Sequence, residues 1–241
     1  SEAIIQLPHS FQVNPASRPR PDLPLTRADA GLPSHAFVYC AFNNPYKILP
    51  SVFARWMRIL HSTPDSVLWL YADHPQTQGN LRQAAAAQGI DANRLVFARQ
   101  VPYAEYLQRY ELADLFLDTH PYNAGTTASD ALWSGLPVLT LKGQSFVSRM
   151  AASLLNAVGL PELITESATA YEQLAIDLAH KPSRLSSMKE HLISKRADHP
   201  LFATREWVRH LEHAYGQALE TLRAGKAPQH IQVPGTGASG T

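Results

Sequence analysis

What this chain has little of narrows its chemistry before any motif is considered. A single cysteine, Cys40, among 241 residues rules out an internal disulfide and a cysteine-built zinc site, and it fits a reducing compartment. Its place in an apolar run reads as a buried, inert thiol. No stretch approaches the roughly 18 to 20 apolar residues of a membrane span, and the N-terminus has no basic region followed by an apolar core. The expectation is a cytoplasmic protein with no membrane partner. Charge of one sign is missing as well: 21 basic against 20 acidic residues leave a formal +1, too weak a field to gather nucleic acid. There is no Asp-x-Asp pair and no His or Cys cluster at ligand spacing, so no metal and no cofactor are expected. No Gly-x-Gly-x-x-Gly follows the first core strand, which leaves a nicotinamide dehydrogenase unsupported. No Gly-x-Ser-x-Gly elbow and no tetratricopeptide period occur.

What is present is an alternation of short apolar runs and helical patterns. A hydrophobic fraction of 45% over this length supports a substantial core. Residues 1–33 read as a linker: Ile4, Ile5 and Leu7 suit a strand at 3–7, the last of a preceding domain, but Pro8, Pro15, Pro19, Pro21, Pro24 and Pro33 forbid regular structure beyond it. Strands are expected at 37–42, 66–71, 95–98, 115–117 and 138–141, with helices at 50–61, 80–88, 103–111 and 128–134 between them. Such alternation predicts an α/β fold, a Rossmann-like parallel sheet with helices on both faces. C-terminal helices at 146–158, 168–179, 182–196 and 204–224 follow. The last carries Trp207, Leu211, Tyr215, Leu219 and Leu222 at helical spacing, a stripe suited to packing across a domain boundary. Residues 34–224 form the main domain and 225–241 a flexible tail.

Residues 113–141 form the stretch around which the rest is arranged. Asp118 closes an apolar run, a polar loop follows, and Thr126 and Thr127 offer hydroxyl caps to a helix that Gly135 ends. A helix N-terminus presents unpaired amides and a positive dipole end, suited to a phosphate. Asp130, one turn in, could reach a sugar hydroxyl on that phosphate. Thr, Ser and Asp also open many helices purely as caps, and local chemistry leaves both readings open.

The run N-A-G-T-T-A-S-D-A-L-W-S-G-L-P-V-L-T at 123–140 resembles the nucleotide-binding segment of the O-linked N-acetylglucosamine transferase family, the SPINDLY-like glycosyltransferases. The resemblance is strongest over 37–164 and returns at His199-Pro200-Leu201-Phe202. It implies the C-terminal lobe of a two-lobed GT-B enzyme that transfers N-acetylglucosamine from its UDP donor to Ser or Thr hydroxyls, with inversion. It further implies roles for three loops. In the first, Asn44 and Lys47 would hold the diphosphate, Lys47 neutralising charge on the leaving group. In the second, the backbone near Val101 would meet the uracil edge, Tyr106 would stack on it and Arg109 would hydrogen-bond it. In the third, Gly125, Thr126 and Thr127 would cradle phosphate and Asp130 would accept from the ribose. Tyr103 stands where animal members have lysine, Tyr106 where they have histidine, and Gly125 replaces a histidine of some members. The acceptor protein would be bound mainly by an N-terminal lobe and tetratricopeptide repeats outside these residues, so the chain alone would bind nucleotide weakly and transfer nothing. Another UDP-sugar transferase or epimerase of this architecture, or a non-catalytic scaffold, remains compatible with the residues.

Overall fold

The computed structural model describes residues 2–19 and 24–235. Apolar runs between breakers become the strands β1 Ile5–Gln6, β2 Phe37–Ala41, β3 Ser66–Tyr71, β4 Leu95–Ala98, β5 Leu115–Leu117, β6 Val138–Leu141, β7 Ile164–Thr165 and β8 Ile231–Gln232. The helices are α1 Pro50–Ser62, α2 Pro75–Ala86, α3 Tyr103–Leu112, α4 Thr126–Trp133, α5 Met150–Ala157, α6 Ala168–His180, α7 Pro182–Ser194 and α8 Thr204–Arg223.

Six strands make one sheet in the order β4-β3-β2-β5-β6-β7, every pair parallel. The chain winds outward from β2 to one edge and from β5 to the other, so the strand order reverses between those two neighbours. Parallel strands are buried on both faces, which is why the runs are continuously apolar rather than alternating. On one face the Tyr39 hydroxyl donates to the Ala175 carbonyl of α6 at 3.0 Å, and the Trp56 indole of α1 donates to the Tyr171 hydroxyl of α6 at 3.5 Å. On the other, Phe42 lies 5.2 Å from the Tyr110 ring of α3. Trp56, Trp69, Tyr39, Tyr110, Tyr171 and Phe116 are the bulkiest fully buried side chains, each worth about 1.5 to 3 kcal/mol or more in apolar burial. The expected class, a parallel sheet covered on both faces and followed by C-terminal helices, is what forms.

Local chemistry explains the differences from expectation. Helix α2 starts at Pro75 rather than 80, because the His74 ring accepts from the Gln76 amide at 3.2 Å and Pro75 suits a first turn. The helix expected from 146 starts at Met150. Before it the Gly143 amide donates to the Ser148 carbonyl at 2.8 Å and the Ser148 hydroxyl to the Ser145 carbonyl at 3.0 Å, local bonds that compete with a helix. The paired threonines are not caps: Gly125 is the N-cap, no side chain makes a capping bond, and Thr126 and Thr127 are the first helical residues.

The proline-rich stretch is irregular but docked. The Thr204 hydroxyl donates to the Asn14 carbonyl at 2.6 Å and the Trp207 indole to the Ser10 carbonyl at 3.1 Å. Arg27 donates to the Ala36 carbonyl and pairs with Asp114, both at 2.8 Å. β1 pairs in parallel with β8, so the stretch expected as a tail, 225–241, contains a strand followed by the buried Val233. Residues 236–241 lie outside the described residues. On α8 the expected stripe divides: Tyr215, Leu219 and Leu222 are exposed by 59%, 45% and 71%, so this half of the stripe is not packed within the chain. No helix among the described residues is long and apolar enough to cross a membrane.

Candidate functional site

In an open parallel sheet a ligand settles outside the carboxyl ends of the strands where the order reverses, here between β2 and β5. Beyond β2 the chain turns through a single 3-10 turn, Pro45–Lys47, capped by the Asn44 carboxamide accepting from the Tyr46 amide at 3.3 Å. That turn aims Lys47 across the crevice. Its ammonium donates to the Asn123 carbonyl at 3.2 Å and lies 3.8 Å from the centre of the Tyr122 ring, so the exit loops of β2 and β5 are tied by one cation. Burial lowers the Lys47 pKa, and the nearby Asp118 works against that shift.

The β5 exit loop is built on Asp118, which is 1% exposed. One carboxylate oxygen accepts from the Thr119 amide at 2.8 Å and the Ala124 amide at 2.7 Å, and the Asn43 carboxamide lies 3.4 Å away. The other accepts from the Thr140 hydroxyl at 2.7 Å. One side chain thereby fixes both ends of loop 119–124, the residue after Phe42 and a β6 residue. Burial pushes the Asp118 carboxyl up to about 7, against the pull of these donors and of Lys47.

From this loop α4 begins. The first amide to bond back is that of Ser129, to the Gly125 carbonyl at 2.9 Å. The amides of Thr126, Thr127 and Ala128 precede it and have no acceptor within the helix. They form a donor-rich tip at the positive end of the dipole, with Thr126 exposed and Thr127 half-buried. A side chain at Gly125 would stand 2.5 Å from the Met150 methyl, so glycine lets the start of α5 pack closely against this turn. Asp130, 3% exposed, is engaged by the Arg18 guanidinium and accepts from the Tyr103 hydroxyl at 3.1 Å.

Beside the tip, a cavity of about 260 Å³ is lined by Phe42, Tyr71, Val101, Tyr106 and Arg109 among others. The Tyr106 hydroxyl is bonded to that of Tyr110, which in turn donates to the Thr127 carbonyl at 3.3 Å, joining cavity and tip. Burial raises the Tyr106 pKa to about 12, so it stays a neutral donor. Arg109 donates to the Arg99 carbonyl and lies 3.6 Å from Glu105, with burial lowering its pKa. A larger cavity, about 510 Å³, is lined by Arg27, Phe37, Ser66, Asp114 and Lys189 among others. It sits at the amino ends of the strands, the wrong end of such a sheet for a ligand.

The folded chain therefore gathers Lys47, Asn44, Gly125, Thr126 and Thr127 along one crevice, puts Val101, Tyr106 and Arg109 around the adjoining cavity, and turns the Asp130 carboxylate of α4 toward Tyr103 at the start of α3. Sequence reasoning missed Asn43, Asp118 as a scaffold, and Arg18. Asp118 left one signal, a carboxylate closing an apolar strand. Arg18 left none, because its partners Tyr103 and Ser129 lie 85 and 111 residues along the chain. Among the described residues no three His, Cys, Asp or Glu side chains group to hold a metal ion.

Comparison with known proteins shows the family and the fold. The family model for glycosyl transferase family 41 matches residues 14–211. The probable UDP-N-acetylglucosamine–peptide N-acetylglucosaminyltransferase SEC of Arabidopsis thaliana is 35% identical over 97% of this chain and 24% of its own length. The UDP-N-acetylglucosamine–peptide N-acetylglucosaminyltransferase of Caenorhabditis elegans is 34% identical over 86% of this chain and 18% of its own. Among solved structures, a mutant O-GlcNAc transferase of Thermobaculum terrenum superposes with a TM-score of 0.73 at 32% identity, covering 84% of this chain and 39% of that one. The chain thus spans about a quarter, or less, of the length of these curated relatives. With a family match over most of its length and relatives above the 30% level across nearly all of it, the chain belongs to glycosyl transferase family 41.

Proposed function

We propose that this chain is the donor-binding part of an inverting glycosyltransferase that moves N-acetylglucosamine from UDP-N-acetylglucosamine to Ser or Thr hydroxyls of proteins. The acceptor oxygen forms its bond to the anomeric carbon as the bond from that carbon to UDP breaks. The acceptor proton is taken by a group outside this chain. Lys47 carries the reading: a half-buried ammonium held across the strand-order reversal, beside a helix tip with three amides that have no acceptor in the helix. Charge building on the departing diphosphate would meet the ammonium and the dipole there, preorganised and partly shielded from water. The uracil would occupy the cavity at Val101, Tyr106 and Arg109, and the ribose would face Asp130. No metal ion enters this scheme. The names of the relatives support the sugar and the peptide acceptor. We place acceptor recognition on an N-terminal lobe and tetratricopeptide repeats of a longer protein, and we place that protein in the cytoplasm, in keeping with its free, buried Cys40.

Calorimetric titration of UDP into the full-length protein tests this. Lys47→Ala removes one charge-assisted contact worth about 1.5 to 3 kcal/mol, so UDP should bind about 10- to 150-fold more weakly. Absence of UDP binding in the unmodified protein would leave the fold as a scaffold only.

A further inference from the structure

The proline-rich segment that precedes the sheet delivers a cation to the ribose side of the crevice. The Arg18 side chain is 2% exposed and lies over the rings of Trp133 and Phe202, 5.6 and 5.8 Å from their centres. From that stack its fork spans two successive residues of α4. One terminal nitrogen pairs with the Asp130 carboxylate and donates to the Tyr103 hydroxyl at 3.2 Å. The other donates to the Ser129 hydroxyl at 2.8 Å. The Ser129 hydroxyl also bonds the carboxamide of Asn14, so the segment grips the helix at two points.

Arg18 and Tyr103 converge on one Asp130 oxygen, Oδ1. A carboxylate this buried would lose its charge or turn to another partner if it were unpaired. A planar guanidinium locked by two rings and a serine holds it both ionised and oriented. We propose that Arg18 is a positioning residue for donor recognition: by clamping Asp130 through Oδ1 it presents that carboxylate to the ribose hydroxyls of a uridine nucleotide. The inference rests on the donor-binding reading above and adds to it a role for a residue outside the three loops.

The test is calorimetric titration of the full-length protein with UDP and with its 2′-deoxy and 3′-deoxy analogues. The unmodified protein should favour UDP over at least one analogue by about tenfold or more, as a site that hydrogen-bonds a hydroxyl does. Asp130→Asn and Arg18→Met should each bring that ratio close to one, and the double variant should be no worse than Asp130→Asn. Arg18→Lys should recover part of the ratio. Tyr103→Phe, which keeps the ring and removes the second bond to Oδ1, should lower it and serves as the probe if Arg18→Met does not fold. An Arg18 that only braces the fold would weaken all three ligands alike and leave the ratio intact, which overturns the proposal. If Asp130→Asn loses the ratio while Arg18→Met keeps it, this inference alone fails. If the unmodified protein binds no UDP, the donor-binding reading fails with it.

Discussion

Asp118→Asn offers the sharpest physical test of the crevice's foundations. The Asp118 carboxyl is buried and titrates near 7 in the folded chain, against about 4 in an unfolded one. The folded state therefore keeps a proton that the unfolded chain releases. The stability this contributes is full below about pH 4, declines as the pH rises through the window, and is gone above about 7. Between pH 5 and 8 the decline covers about two pH units at 1.36 kcal/mol each, or about 2.7 kcal/mol. Asparagine cannot titrate. Its own cost, a weaker acceptor for the Thr119 and Ala124 amides, is nearly the same at every pH and cancels from the slope. Urea denaturation at pH 5 and pH 8, followed by tryptophan fluorescence since Trp56 and Trp69 are fully buried, should show the parent losing about 2.7 kcal/mol relative to the variant. Parallel curves for the two proteins would mean that the three donors and Lys47 keep the carboxyl ionised throughout, and the account of burial as the dominant influence would be refuted.

Other expectations follow from single sites. Arg109→Ala should weaken UMP and UDP by a similar factor, about tenfold, because it removes a contact on the base side. Lys47→Met should instead weaken UDP more than UMP, a pattern that competition calorimetry separates. Gly135→Ala should destabilise the fold by about 2 kcal/mol, since Gly135 has φ +84° and an added methyl would meet the Ile193 Cγ1 at 2.7 Å. A melting temperature lower by about 4 to 8 °C in scanning calorimetry is the sign to look for.

The strands of the sheet were legible because parallel core strands need unbroken apolar runs, and Ser66–Tyr71, Leu95–Ala98 and Val138–Leu141 appear with the expected bounds. β7 and β8 were not, since two residues of Ile-Thr or Ile-Gln leave no periodicity to read. The helix caps at Gly125 and His74 escaped for a related reason: one depends on a single backbone conformation and the other on a single ring–amide bond rather than on a pattern. The three ligand loops could be found because the alternation of elements dictates the topology, and the topology dictates which loops share one end. Arg18 could not, because a stretch with five prolines within 20 residues reads as a spacer, and nothing local announces that one of its side chains lies over the Trp133 ring.

The pairing of β2 with β5 has a consequence for how the molecule assembles. Val38 and Asp114, which meet across it, are separated by 76 positions along the chain, so this junction closes a long excursion of polypeptide. Contacts of such sequence separation slow folding. A nucleotide lodged there would touch both halves at once, so its binding energy would add to the closed state and not to either half alone, acting as a bolt across the seam.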